Sequence, residues 1–349
     1  MRPSRHSIVT GLAAMVAIAT LSVGSAAALK PGLDTTGERG KGGSFAFAVI
    51  GDVPYGDPQV TDFPKIVKRI NADPAVQLVN HLGDIKSGSS RCDDSYFLRI
   101  KKDFDTFVDP LVYTVGDNEW TDCHRLNNGA YNPLERLAAI RSLFFAHPGH
   151  TLGGHPARVL SQASLGYPEN VRYTRGEVAF AALHIVGSNN SLAPWTGNTA
   201  PTPEQSAEVL GRTAAVIASI RDTFAQAREE RSRSVVLLTQ ADMFDPTVLK
   251  PTFADNFAFQ PIVRAIAQES ASFRGPVYLF NGDSHVFNED KPLAATSKWL
   301  SFYGLDAPVK NLSRVTVDGG AGVNNNNYLR VTIDPRNPDV LSWTKVPTE

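Results

Sequence analysis

Oxygen- and nitrogen-bearing side chains recur at the ends of five short apolar runs. Ser44–Ile50 is followed by Gly51-Asp52, and Val76–Leu82 by Gly83-Asp84. Leu111–Val115 leads into Gly116-Asp117-Asn118-Glu119, Val235–Thr239 into Gln240-Ala241-Asp242, and Val277–Asn281 into Gly282-Asp283-Ser284-His285. A short apolar run bounded by such turn residues reads as a buried strand. In open α/β sheets, ligand sites lie outside the carboxyl ends of the strands. Five tips converging there crowd carboxylates together, and such a crowd either repels itself apart or is neutralised by bound cations. The pattern predicts a metal site.

The elements that must position these tips are legible from periodicity. Asp62–Ile70 reads as a helix with Phe63, Ile66, Val67 and Ile70 on one face. Phe97, Ile100, Phe104 and Phe107 recur at steps of three and four, and Pro110 ends that helix. Asn132–Phe145 is a third, with Asn132 as cap and Pro133 at its first position. Strand–helix–strand–helix–strand alternation predicts a parallel sheet, and right-handed crossovers put its tips at one edge. Val171–Arg175 and Val178–Val186 read as a hairpin around Gly176-Glu177. Thr202, Pro203 and Gln205 form a capping box that opens a long helix with Leu210, Ile217, Ile220 and Phe224 on one face. A helix over Gln260–Glu269 precedes the fifth tipped strand. Short strands follow at Arg314–Val317, Tyr328–Ile333 and Val340–Thr344, with a turn-rich loop at Gly319–Asn327.

The order and spacing of the tips resemble the calcineurin-like metallophosphoesterases, whose signature is D-x-H, G-D, G-N-H-D/E, a lone His after a strand, and G-H-x-H. The resemblance spans Ser44 to about Leu329. It implies an α/β fold of two stacked mixed β-sheets flanked by helices, with two metal ions at the strand tips that activate water to attack phosphorus in line. Asp52 matches the first Asp, Asp84 the Asp that bridges the metals, Asn118 the ligand Asn, and His285 the last His. Pro54 stands where the first His belongs, with Tyr55 beside it. Glu119 replaces the His that assists the leaving group, Gln240 the lone His, and Asp283 the first His of the final pair. Three of the four replaced histidines thus become Glu, Gln or Asp, each able to bind a metal or join a hydrogen bond. Oxygen ligands suit hard cations. One or two divalent ions are expected, Mn²⁺ or Mg²⁺ favoured, held by Asp52, Asp84, Asn118, Gln240, Asp283 and His285. Glu119 is the candidate acid for the leaving group and Lys86 a candidate phosphate anchor. His124 is another candidate acid, Tyr55 and Asp242 are further site candidates, and His81 reads as a hydrogen-bonded core histidine.

The amino terminus reads as a targeting segment. Arg2, Arg5 and His6 precede an apolar run, Ile8–Val23, and small residues up to Ala28 fit a cleavage site. Residues 1–28 are expected to be a signal peptide, 29–43 a linker, and 44–349 the folded domain. The chain is then exported, periplasmic or secreted, with no membrane partner. Two cysteines in an exported chain, Cys92 and Cys123, predict one disulfide across loops at the same end of the sheet. A formal net charge of −1 leaves no basic surplus for a stable nucleic-acid partner. The expected partner is a small phosphoester substrate; oligomeric state is open. The expected function is a metal-dependent phosphoesterase acting on phosphate mono- or diesters. The alternative is a non-catalytic metal- or phosphate-binding protein on the same fold. The lack of a Gly-x-Ser-x-Gly elbow counts against a serine hydrolase.

Overall fold

The computed structural model describes residues 44–320 and 327–348. The expected signal peptide and linker and most of the loop at 319–327 lie outside these residues. The first three expected strands are present as β1 (Phe45–Ile50), β2 (Val76–His81) and β3 (Leu111–Tyr113). The chain continues through β4 (Leu160–Gln162), β5 (Tyr167–Arg175), β6 (Val178–Ala182) and β7 (Ser234–Leu238). It ends with β8 (Val277–Asn281), β9 (Asn288–Asp290), β10 (Leu312–Thr316), β11 (Asn327–Ile333) and β12 (Leu341–Pro347).

These strands form two mixed sheets, one of five strands in the order β12-β11-β1-β2-β3, and one of seven in the order β4-β5-β6-β7-β8-β10-β9. Where helices intervene, pairs are parallel: β1–β2, β2–β3, β6–β7 and β7–β8. The alternation therefore predicts the middle of each sheet. It does not predict the antiparallel tail strands β11 and β12, which extend the first sheet beyond β1. The β5–β6 hairpin turns at Gly176 and Glu177, both with positive φ, as a two-residue hairpin loop requires.

Side-chain alternation divides the core into three layers. Phe47 and Val49 of β1 meet Phe180, Val236 and Phe280 of the other sheet, so the two sheets pack face to face. The intervening residues Ala48 and Ile50 point outward, beneath Phe63, Phe97, Phe104 and Ile140 of the helices Gly56–Asn71, Asp94–Phe104 and Pro133–Phe144. On the opposite side, Val235 and Leu237 support Ile220, Phe224, Ile262 and Ile266 of the helices Pro203–Glu229 and Gln260–Ala271. The architecture is two mixed sheets flanked by helices.

Local signals hold at the helix starts. The Asn132 carboxamide accepts from the Leu134 and Glu135 amides. Thr202 and Gln205 cap each other's backbone in the expected box. The first helix starts six residues before the expected Asp62. Gly56, Asp57 and Pro58 are turn formers, but Val60 buries on the same face as Phe63 and draws the helix back to Gly56. Cys92 and Cys123 form the expected disulfide, with Cα atoms 5.9 Å apart, tying the loop after β2 to the loop after β3. Among the described residues no helix is long and apolar enough to cross a membrane.

Candidate metal centre

At two of the tips a glycine leaves room for the carboxylate of another tip. A methyl group on Gly116 would collide with Asp84 Oδ1, and one on Gly282 would collide with Asp52 Oδ2. The glycine of one tip thus makes room for the acid of the next. Asp52 and Asp84 both turn out of their strands with φ near +55°, a conformation that is rare for residues other than glycine and concentrates at functional sites. Asp52 is held there by its amide, which donates to Gly83 O at 3.0 Å. Its carboxylate accepts the Asp283 amide at 3.0 and 3.2 Å.

Two groups of ligand atoms result. Asp52, Asp84 and His285 offer one set within 4.8 Å of one another, and Asp84, Asp117 and Asp283 offer a second. Asp84 belongs to both, the shared position that the resemblance implies for it. Tyr55 is the organic hub of the first set. Its hydroxyl donates to Asp84 Oδ2 at 2.8 Å, lies 3.3 Å from His285 Nε2, and accepts from Asn118 Nδ2 at 2.9 Å. Asp117 was not among the expected ligands. The family pattern drew attention to Asn118, although the extra acid between Gly116 and Asn118 was the visible signal for it.

The electrostatics are one-sided. Burial raises the Asp52 carboxyl above its usual range, and burial plus the charges of Asp117, Glu119, Asp52 and Asp283 drives Asp84 well above its own. Burial, then Asp117 and Asp52, does the same to Asp283. Among the described residues no lysine or arginine pairs with Asp52, Asp84, Asp117 or Asp283. His285 is the nearest cationic group, 3.4 Å from Asp52 Oδ1 with its side chain 40 % exposed. Its hydrogen bond to Asp52 raises its pKa against the opposing effect of burial. The donor set is carboxylate-rich with one imidazole, which fits a hard divalent cation.

Several expected site residues sit otherwise. Gln240 reaches the cluster, but its Oε1 accepts the Gly187 amide at 2.8 Å. That bond turns its Nε2 toward Asp84 Oδ2 at 3.3 Å and Asp117 Oδ1 at 3.1 Å. Held this way, Gln240 donates hydrogen bonds to the carboxylates instead of offering them a ligand oxygen. Asn118 likewise gives its Nδ2 to Asp84 at 2.7 Å. Lys86 is fully buried. Its ammonium donates to Ser87 O, Asn118 O and Asn128 Oδ1 at 2.8–2.9 Å, which takes up all three donors and leaves none for a phosphate. Glu119 is also fully buried, accepting from Ile85 N, Tyr113 Oη and Gly116 N. It braces the backbone behind Asp84 and does not open toward a leaving group. His124 pairs with Thr196 and stacks on Trp195, away from the cluster. His81 is a core histidine, bonded to Val53 O, and burial pulls its pKa down to about 4. Asp242 is a positioning residue. Arg314 and the Phe244 amide hold its carboxylate, and its own amide donates to Asp283 Oδ2 at 3.1 Å.

A feature that sequence polarity reads only as a loop closes one side of the site. Ser188, Asn189, Asn190 and Ser191 follow one another with φ between 52° and 70°, a left-handed turn without glycine. Such backbone costs roughly 1–2 kcal/mol per residue. Side chains from four directions hold it. Ser188 Oγ donates to Asp117 Oδ2 at 3.0 Å and to Asp122 Oδ1 at 3.1 Å. The Ala258 amide donates to Asn189 Oδ1, Arg212 donates to Asn190 O, and Ser191 Oγ meets Thr121 Oγ1 at 2.6 Å.

No protein-family model and no curated protein matches this sequence. Three solved structures are similar to it. GAP50, the anchor in the inner membrane complex of Plasmodium, is 9 % identical with a TM-score of 0.43, over 88 % of this chain and 89 % of that one. Purple acid phosphatase PPD1 from yellow lupin (Lupinus luteus) seeds is 11 % identical with a TM-score of 0.43, over 88 % of this chain. The match spans 54 %, about half, of the lupin chain. Phosphopantetheinyl hydrolase from Mycobacterium tuberculosis is 11 % identical with a TM-score of 0.40, over 80 % of this chain and 91 % of that one.

Proposed function

We propose that this chain is an exported, metal-dependent phosphoesterase whose centre holds one or two divalent cations, Mn²⁺ or Mg²⁺ favoured. The observation that carries this reading is the pair of ligand groups that share Asp84, built from carboxylates that, among the described residues, no lysine or arginine pairs with. Asp52, Asp84 and His285 would hold one ion, and Asp84, Asp117 and Asp283 the other. When bound, the cations acidify water and offset charge on the phosphoryl oxygens.

The chain's own residues do the rest. Tyr55 orients Asp84 and His285 through its hydroxyl. Gln240 and Ser188 keep the Asp117 carboxylate turned inward. Asn118 Nδ2 and Tyr55 Oη spend their protons within the cluster, where they fix the Asp84 carboxylate. Export is proposed from the expected signal peptide and agrees with the Cys92–Cys123 disulfide.

A second reading has its own observation. Glu119 and Lys86 are walled off, so neither can protonate a leaving group or anchor a phosphate. A protein that binds a metal or a phosphate without turnover fits that arrangement. The deciding experiment strips the protein of metal and adds back Mn²⁺, Mg²⁺, Ca²⁺ and Zn²⁺ separately. Hydrolysis of an aryl phosphate monoester and diester is then followed, with Asp84→Asn as control. Metal-dependent turnover that vanishes in the variant is the expected result. Metal binding by calorimetry without turnover favours the binding protein, and neither binding nor turnover refutes both readings.

A further inference from the structure

Ser188 belongs to two places at once. Its hydroxyl touches the Asp117 carboxylate, and the same residue lines a cavity of about 370 Å³. Gly187, next to it, lies so close to Asp117 and Asp283 that a methyl group there would crowd both acids. The left-handed turn is therefore a wall common to the carboxylate cluster and the cavity. Leu192, Ala193, Pro194, Pro201, Ala254 and Phe257 form the apolar remainder. Asn189 and Asp255 are the other polar contributors, and no lysine or arginine lines the cavity. Asn189 also spans it. Its Nδ2 donates to Ala254 O at 3.4 Å and its Oδ1 accepts the Ala258 amide, which joins the two walls.

Small-molecule sites occupy roughly 300–1,000 Å³ and are lined mostly by apolar groups with a few fixed polar ones. This cavity lies at the small end of that range, with room for an aromatic ring and further apolar atoms. Its apolar walls favour an apolar occupant. A second phosphate placed there would lie beside Asp255 and the cluster with no cation from the wall to offset it. We infer that the cavity receives the organic group of a phosphoester whose phosphoryl group lies at the cluster. That group is uncharged and apolar: an aryl or short alkyl ester, not a nucleoside polyphosphate. The inference rests on the phosphoesterase reading.

Binding, separate from turnover, tests it. Mn²⁺ affinity is measured first by calorimetry, and the Mn²⁺-loaded protein is then titrated with phenylphosphonate, methylphosphonate and a nucleoside diphosphate. Phenylphosphonate is expected to bind roughly tenfold or more tighter than methylphosphonate, and the diphosphate no tighter than methylphosphonate. Ala254→Trp, at an exposed position that can fill the cavity without disturbing the core, removes the phenyl preference. It leaves Mn²⁺ and methylphosphonate affinity unchanged. Phe257→Ala, which opens the half-exposed wall, weakens the preference by a different route. Equal phenyl and methyl affinities, or a preference that survives both substitutions, overturn the inference while the metal centre stands. Absence of binding of Mn²⁺, Mg²⁺, Ca²⁺ and Zn²⁺ alike overturns the phosphoesterase reading and this inference with it.

Discussion

Glu169 and Asp84 are both buried carboxylates, and the protein treats them in opposite ways. Burial pushes Glu169 up, but the hydrogen bonds and charges of His184 and Arg141 outweigh it and hold the carboxyl at about 2. His184 Nδ1 lies 2.8 Å away, and Arg141 Nε donates at 3.0 Å. Asp84 also accepts several hydrogen bonds, from Tyr55, Asn118 and Gln240. All of these donors are neutral, and its charged neighbours are other acids and the Lys86 ammonium, whose protons go to Ser87, Asn118 and Asn128 instead. Burial alone therefore does not mark a functional acid. What separates the two is whether the fold itself brings the countercharge. At Glu169 it does, and the group is structural. At Asp84 it does not, and the missing charge is the argument for a cation from outside.

The largest effect that this contrast predicts is on activity. Asp84→Asn removes a ligand common to both sets and should lower metal-dependent turnover on the order of 10³-fold. The same substitution removes an uncompensated buried charge, so the chelated protein should be as stable as wild type or more so. Thermal unfolding in excess chelator checks this, and a clear loss of stability there would break the contrast. Glu169→Gln should behave in reverse. It strips the partner from Arg141 and His184 and should destabilise by about 3 kcal/mol, with turnover per folded molecule unchanged. Urea unfolding and an active-fraction assay read the two quantities. Loss of turnover in excess of the unfolded fraction would place Glu169 in the site after all.

Metal addition sharpens the comparison further. A ligand that binds only the native state stabilises it by about 2.7 kcal/mol at a hundredfold excess over its dissociation constant. Wild type and Glu169→Gln should gain the same increment from Mn²⁺, and Asp84→Asn little or none. An equal gain in Asp84→Asn would move the binding site away from the strand tips.

The sequence carries the tips well because their requirement is local. A glycine next to an acid at a strand end is needed wherever a neighbouring carboxylate must approach the backbone, as at Gly116 and Gly282. Helix caps and the β5–β6 turn are local for the same reason. The misreadings share the opposite cause. Whether Gln240 offers oxygen or nitrogen is decided by the Gly187 amide, 53 positions earlier. Lys86 reads as a phosphate anchor until Asn118 and Asn128 close around its ammonium. Asp117 is masked in the sequence by the family pattern, which points to its neighbour Asn118. The left-handed turn at 188–191 has no local signature beyond Asn and Ser. Its conformation is imposed by Asp117, Asp122, Thr121, Arg212 and Ala258 from elsewhere in the fold.

The smallest effect is a pH dependence confined to Glu169. Its carboxyl is at about 2 when folded, against 4.5 for the free side chain. The unfolded chain therefore takes up this proton first as the solution is acidified, and stability contributed by the ionised group falls with pH. The contribution is complete above about pH 5, declines through 4.5, and is gone below the folded value of about 2. Gln at this position does not titrate. The stability gap between wild type and Glu169→Gln should thus be flat from neutral pH to about 5 and close progressively below it. Burial pulls the His184 pKa down, against the opposing hydrogen bond and charge of Glu169. Urea midpoints for both proteins across this range, in chelator so that the metal centre does not contribute, give the gap directly. A gap that stays constant down to pH 3 would mean that Arg141 and His184 do not hold Glu169 ionised. The distinction between a self-neutralised acid and one awaiting a cation would then lose its reference point.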